Sequence, residues 1–228
     1  MDIDQAMQQI KILSDILPST KAAMLSHVQL HTYPKNAIIF QEQLEVSCFY
    51  FVVTGAVYLC KWNHHHENRV IFICTEGEAL NETVIDEQPA SVCAIALTKT
   101  QVLSIPIKTM KYLMKEDPNL AEAFMESMSS KIRRLYRQIK NTNNSIRLDQ
   151  QIAAKLWKLA KDYGVLTEKG VKIPFDLSIT FFADMVGSKR ETVSRNIKRL
   201  VEEGLIIIEG KTFYIVDQKE LLKFFHKK

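Results

Sequence analysis

The sequence predicts an α+β protein. An antiparallel β-roll (a double-stranded β-helix or jelly roll) comes first, then one long helix, then a small C-terminal domain in which two short helices cross beside a β-hairpin. Three observations predict this. Six apolar stretches of strand length alternate with turn residues between positions 37 and 106. From Met110 the apolar spacing switches to that of a helix. Around residues 182–200 an alanine, a glycine and a valine recur at the intervals of two helices packed about a tight turn. A chain of 228 residues has room for two modest domains, and 46% hydrophobic with 25% charged residues is an ordinary globular composition.

Residues 4–30 read as helical, with Ile10, Leu13, Ile16 and Leu17 on one side and Pro18 breaking the run. The strands follow as Ala37–Gln41, Cys48–Val53, Ala56–Trp62, Arg69–Cys74, Val92–Ala96 and Gln101–Pro106, rich in β-branched and aromatic residues. Pro34-Lys35-Asn36, Thr54-Gly55, residues 63–68, Glu76-Gly77 and Gln88-Pro89 supply the turns. Six short strands so spaced suit a closed or rolled antiparallel sheet.

The long helix restarts at Asp117-Pro118, since proline is tolerated only in a first turn. Its apolar positions Phe124, Met128, Ile132, Leu135 and Ile139 are spaced 4, 4, 3 and 4 apart, a stripe narrow enough to seal a two-helix seam or to pack on its own domain. Lys131, Arg133, Arg134, Arg137 and Lys140 occupy the other faces. Residues 141–145 are poor helix formers and read as a hinge. Beyond it, Ile152, Leu156, Leu159 and Ala160 define another helix, stopped at Tyr163-Gly164, and Ile173-Pro174-Phe175 is extended.

The stretch from Phe182 to Leu200 has the layout of a DNA-reading helix-turn-helix. Ala183 lets two helices approach, Gly187 takes the turn, and Val193 faces inward. Ser188 is a candidate N-cap, with Glu191 at capping-box distance. Lys189, Arg190, Arg195, Lys198 and Arg199 place five cations within eleven residues. Two apolar runs around Glu209-Gly210-Lys211 append a hairpin, which makes the domain a winged helix-turn-helix.

Charge is distributed to match. Residues 1–110 carry a net −4, whereas residues 111–148 and 149–228 carry +4 each, as expected of a sensor joined to a polyanion binder. Acids at Asp2 and Asp4, where a secretory signal carries cations, and the lack of any apolar run near the ~20 residues of a membrane span point to a cytoplasmic protein with no membrane partner. The four cysteines at 48, 60, 74 and 93 contain no CxxC pair and lie in apolar sequence, so core thiols are expected. His64-His65-His66 sits at a hairpin tip, where three successive side chains do not converge on one ion, and no metal site is expected.

The ordered series of roll, long helix, hinge and winged domain resembles the cyclic-AMP receptor protein/fumarate-nitrate reductase regulator (CRP/FNR) family. The resemblance is strongest from Val186 to Arg195 and from Leu200 to Ile206, and also touches Gly55 and Gly77-Glu78 through Glu82. It implies a sensing domain over residues 1–115, a dimerisation helix and hinge over 116–144, and a DNA-binding domain over 145–228. It further implies a homodimer sealed by Phe124, Met128, Ile132, Leu135 and Ile139. Such a dimer reads an inverted repeat in duplex DNA with half-sites about one turn (~34 Å) apart, with RNA polymerase as a further partner. Arg190 and Arg195 match base-contacting arginines suited to guanine, Glu191 matches an acceptor for cytosine, and Ser194 matches a small hydroxyl on the reading face. Lys189, Thr192 and Lys198 fall where phosphate contacts position the helix, and Ser188 belongs with them to the DNA-binding set.

For the effector, the resemblance points to Asn81, Glu82, Ser91, Leu135 and Tyr136. Glu82 matches the acid that holds a ribose hydroxyl. Ala90, however, stands where the cyclic-AMP-binding members place an arginine, and Leu135 and Tyr136 stand where they place adenine-contacting hydroxyls. A cyclic phosphate buried without a guanidinium lacks its counter-charge. Cyclic AMP is therefore disfavoured, and an unidentified small-molecule effector is expected. Competing readings are a cupin-like metal-dependent enzyme, a constitutive or thiol-redox-responsive regulator of the same family, and a module docking on another protein through its basic helix.

Overall fold

The structure, a computed structural model, describes residues 1–62, 68–141 and 147–226. It divides into two compact units, Met1–Tyr136 and Arg137–Lys228. The histidine run and residues 142–145 of the expected hinge lie outside the described residues.

The first unit opens with α1 (Ile3–Gln8), a 3-10 turn at Lys11–Leu13 and α2 (Pro18–Leu25). This corrects the single helix expected over 4–30. Asp2 caps α1 by accepting from the Gln5 N–H at 2.8 Å, and Ile10 is extended. Pro18 begins a helix at its first turn rather than ending one. The last residues of that stretch enter β1 (Gln29–Tyr33), a strand the sequence reading missed.

The six expected strands all form, with ends within one residue of expectation: β2 (Ile38–Phe40), β3 (Cys48–Thr54), β4 (Ala56–Trp62), β5 (Asn68–Thr75), β6 (Cys93–Ala96) and β7 (Thr100–Pro106). They build two antiparallel sheets, β1-β7-β3 and β2-β6-β4-β5. Alternate residues of β3 and β7 serve two cores. Val52 and Val102 join Phe40, Val57, Leu59 and Phe72 inside the roll. Phe49, Phe51, Leu103 and Ile105 face the other way, onto Met7, Ile10, Met24, Met110 and Phe124.

Two helices follow, α3 (Ile107–Glu116) and α4 (Pro118–Asn141). At their junction the Asp117 carboxylate accepts from the backbone N–H of Leu17 at 2.8 Å and of Asn119 at 3.1 Å, fixing where α4 starts. The second unit runs α5 (Leu148–Tyr163), β8 (Val165–Thr167), β9 (Gly170–Lys172), α6 (Ile179–Val186), α7 (Arg190–Glu202), β10 (Ile206–Glu209), β11 (Thr212–Ile215) and α8 (Gln218–His226). Its sheet has the order β10-β11-β9-β8. The β8–β9 hairpin and α8 were not anticipated. Ile152, Leu156, Phe182, Val193, Ile197, Leu200 and Phe213 are buried here, with the Phe182 and Phe213 rings 4.8 Å apart.

Candidate nucleic-acid interface and effector region

The turn between α6 and α7 is built from its glycine outward. Ser178 caps α6 by accepting from Phe181 N–H at 3.0 Å. At the other end Gly187 takes the left-handed conformation (φ 67°, ψ 48°) and donates its N–H to the Ala183 carbonyl at 2.8 Å, closing the helix. Ala183 and Val193 are buried, as the helix-turn-helix reading requires. The expected capping box does not form. The residue flanking α7 is Lys189, in extended conformation and with no side-chain cap bond, so neither Ser188 nor Glu191 caps the helix.

Lys189, Arg190, Glu191, Ser194, Arg195 and Lys198 are exposed, and Ser188 and Thr192 are half-buried. Among the described residues, Lys189, Arg190 and Arg195 have no ion-pair partner. Arg199 differs. Its guanidinium reaches the Asp149 carboxylate at 3.0 Å and Glu203 at 2.8 Å. Asp149 is buried and also accepts from Arg147 at 2.6 Å. Arg199 therefore braces α7 against the start of α5. Asn196 likewise turns inward, donating to the Thr192 carbonyl at 2.7 Å.

In the first unit the polar centre lies between the roll and α4. Glu82, on the 3-10 turn Glu82–Asp86, is buried and paired with Lys131, and accepts from Ser127 Oγ at 2.6 Å. Lys131 also donates to the Ala79 carbonyl at 2.7 Å. One turn along α4, Arg134 pairs with Glu78 at 3.0 Å, donates to the Ile73 carbonyl at 3.3 Å and lies over the Phe72 ring at 4.6 Å. A cleft of about 220 Å³ opens beside this clamp, lined by Lys11, Gly77, Glu78, Glu126, Ser127, Ser130, Lys131 and Arg134 among others.

Residues 30–117 match the cyclic nucleotide-binding domain and residues 150–224 the Crp-like helix-turn-helix domain. The chain belongs to the CRP/FNR family of transcription regulators. It is a DNA-binding transcription regulator. A CRP-like cAMP-activated global transcriptional regulator of Mycobacterium tuberculosis is 22% identical over 228 aligned positions, covering 97% of this chain and 99% of that protein. The cAMP-activated global transcriptional regulator CRP of Salmonella typhimurium is 27% identical, over 84% of this chain and 91% of its own. Among solved structures, the c-di-GMP responsive global regulator CLP of Xanthomonas campestris shares the fold, with a TM-score of 0.77 at 20% identity over 87% of this chain and 99% of that one.

Against the CRP/FNR expectations, several residues take other places. Phe124, expected in a dimer seam, is buried in its own unit, edge-on to Phe49 at 5.1 Å. Met128 is partly buried against the same core. Ile132, Leu135 and Ile139 are exposed. Asn81 braces β3, accepting from Tyr50 N–H and donating to the Cys48 carbonyl, both at 2.9 Å, so its amide is engaged by backbone. Leu135 and Tyr136 are exposed and line no part of the cleft. Ser91 is exposed and bonded through its hydroxyl to Thr83 at 3.2 Å. The residues α4 does turn to the roll are Ser127, Lys131 and Arg134, at positions i, i+4 and i+7. That spacing marks one helix face and was available in the sequence as the signal for this clamp. Among the described residues no group of three His, Cys, Asp or Glu side chains could hold a metal, and no helix is long and apolar enough to cross a membrane.

Proposed function

We propose that this chain works as a homodimer that reads an inverted DNA repeat with α7, under the control of a small effector other than cyclic AMP bound at the β-roll. The observation that carries the DNA-reading half is the exposed face of α7. Arg190 and Arg195 present planar forks uncommitted to any carboxylate among the described residues, with Glu191 and Ser194 between them. Such forks suit guanine O6 and N7, and Glu191, freed of the capping role, suits cytosine N4. Ser188, Lys189, Thr192 and Lys198 hold phosphates. The exposed Ile132, Leu135 and Ile139 supply the dimer seam along α4. The dimer acts in the cytoplasm, next to RNA polymerase.

Charge disfavours cyclic AMP. Glu82 already has Lys131 as its counter-ion, and buried Ala90 offers a cyclic phosphate no guanidinium. Calorimetric titration with cyclic AMP is expected to give no saturable heat, and saturable binding refutes this exclusion. For the DNA reading, fragments selected from randomised duplexes by the full-length protein should converge on an inverted repeat with half-site centres about one turn apart. Convergence on a lone half-site, or on no sequence, overturns it.

A further inference from the structure

In the sheet β2-β6-β4-β5, Cys60 of β4 stands directly opposite Cys93 of β6. Opposed residues of an antiparallel pair point to the same side, with Cα atoms about 4.5–5.5 Å apart. That lies within the roughly 4.4–6.8 Å a disulfide spans. The shared side is the outer one. Val57, Leu59 and Ala94 point into the roll, whereas Cys60 and Cys93 cluster with Tyr58 and Ile95. Both cysteines are buried, but Trp62, which bonds Cys93, is 48% exposed, so the pair lies one side chain below the surface.

We propose that Cys60 and Cys93 are a modification site: a cross-strand dithiol that a small peroxide converts to a disulfide and a thiol reductant restores. The Cys93 thiolate attacks one peroxide oxygen, the O–O bond breaks, and the departing hydroxide takes up a proton to leave as water. The Cys60 sulfur then displaces the sulfenic hydroxyl, which leaves as a second water once it gains the Cys60 proton. The two electrons lost by the sulfurs reduce the peroxide.

The environment favours Cys93 as the attacking group. Hydrogen bonding from the Cys60 thiol, then from the Trp62 side chain and the Glu42 backbone N–H, outweighs burial and the nearby Glu42 carboxylate, itself paired with Lys61, and brings the Cys93 thiol down to about 7. Cys74 is the internal contrast. It lies inside the roll, and burial pushes its thiol up to about 12. Lys61, next to Cys60, donates to the Ser91 carbonyl at 3.0 Å, and Ser91 is bonded to Thr83 beside Glu82. The proposal stands on sheet register and is independent of how α7 reads DNA.

The test is peptide mapping of the reduced full-length protein after hydrogen peroxide treatment and thiol alkylation. The expected product joins the peptides holding Cys60 and Cys93, disappears with dithiothreitol, and forms faster as pH rises from about 6 to about 8. It should persist in Cys74→Ser and vanish in Cys93→Ser. Sulfinic acid on Cys93 without the cross-link, a different pairing, or two unreacted thiols overturns the proposal. Each is read on the wild-type chain, whatever the variants do to folding.

Discussion

Lys131 and Arg134 on α4 and Arg190 and Arg195 on α7 belong to helices of similar charge pattern, yet they do opposite work. On α4 the cations meet carboxylates of the same unit, Glu82 and Glu78, together with backbone carbonyls of Ala79 and Ile73. On α7 the arginines have no carboxylate among the described residues. A cation with its counter-charge inside the fold is part of the scaffold, while one left to solvent is available to a polyanion. Arg199, four residues after Arg195, makes the same point within α7, since it is tied to Asp149 and Glu203.

The largest effect should come from breaking the clamp. Lys131→Met strips the counter-ion from Glu82, whose side chain is 3% exposed. Orphaning a buried charge costs about 3–5 kcal/mol. Water reaches Lys131, 15% exposed, which sets the expectation at the lower end, about 3 kcal/mol by urea unfolding. Adding Glu82→Gln should restore most of the loss, because the amide carries no charge to desolvate. A single-variant cost below about 1 kcal/mol would place the pair among ordinary surface bridges and erase the contrast.

Next in size is the contrast within α7. Arg195→Ala should weaken operator binding by about 1–3 kcal/mol and relax the preference at one base pair. Its unfolding free energy should stay within about 0.5 kcal/mol of the parent. Arg199→Ala should do the reverse. Asp149 loses one of two guanidinium partners, and with Arg199 about half exposed the stability cost is about 1 kcal/mol. Base preference should survive. Paired unfolding and anisotropy measurements decide it, and an Arg199 variant that changes base preference while staying stable assigns the reading role to the wrong arginine.

The legibility of the two regions differs for the same physical reason. Strands and crossed helices leave local signals: β-branched runs bounded by turns, the glycine at 187, the inward valine at 193. So the roll and the helix-turn-helix could be read from the chain. β1 was hidden because His31, Thr32 and Tyr33 pair with β7 some seventy residues away, and only that partner makes them a strand. The β8–β9 hairpin is three residues per strand and leans on β11 for its place. The clamp was misread because charge alone does not say which way a side chain turns. By spacing Lys131 and Arg134 fall off the apolar stripe of α4, and only Glu82 and Glu78 turn them toward the roll. Phe124 fits either a seam or a core by its spacing, and Phe49 decides the matter.

The smallest expected effect tests whether an exposed internal pair competes with DNA. Lys198 lies 3.7 Å from Glu202, one turn along α7, with both side chains mostly exposed. Such an i, i+4 bridge contributes about 0.3–0.5 kcal/mol, so Lys198→Ala should barely move the unfolding midpoint. A phosphate offers the same ammonium a fixed anion and releases a condensed counter-ion, which an exposed glutamate does not. The variant should therefore bind all sequences more weakly by a similar factor. Its log affinity against log salt should lose about one unit of slope per DNA contact removed, measured between about 50 and 200 mM salt. An unchanged slope would leave Lys198 with Glu202 as solvated surface and move the edge of the reading face back to Arg195.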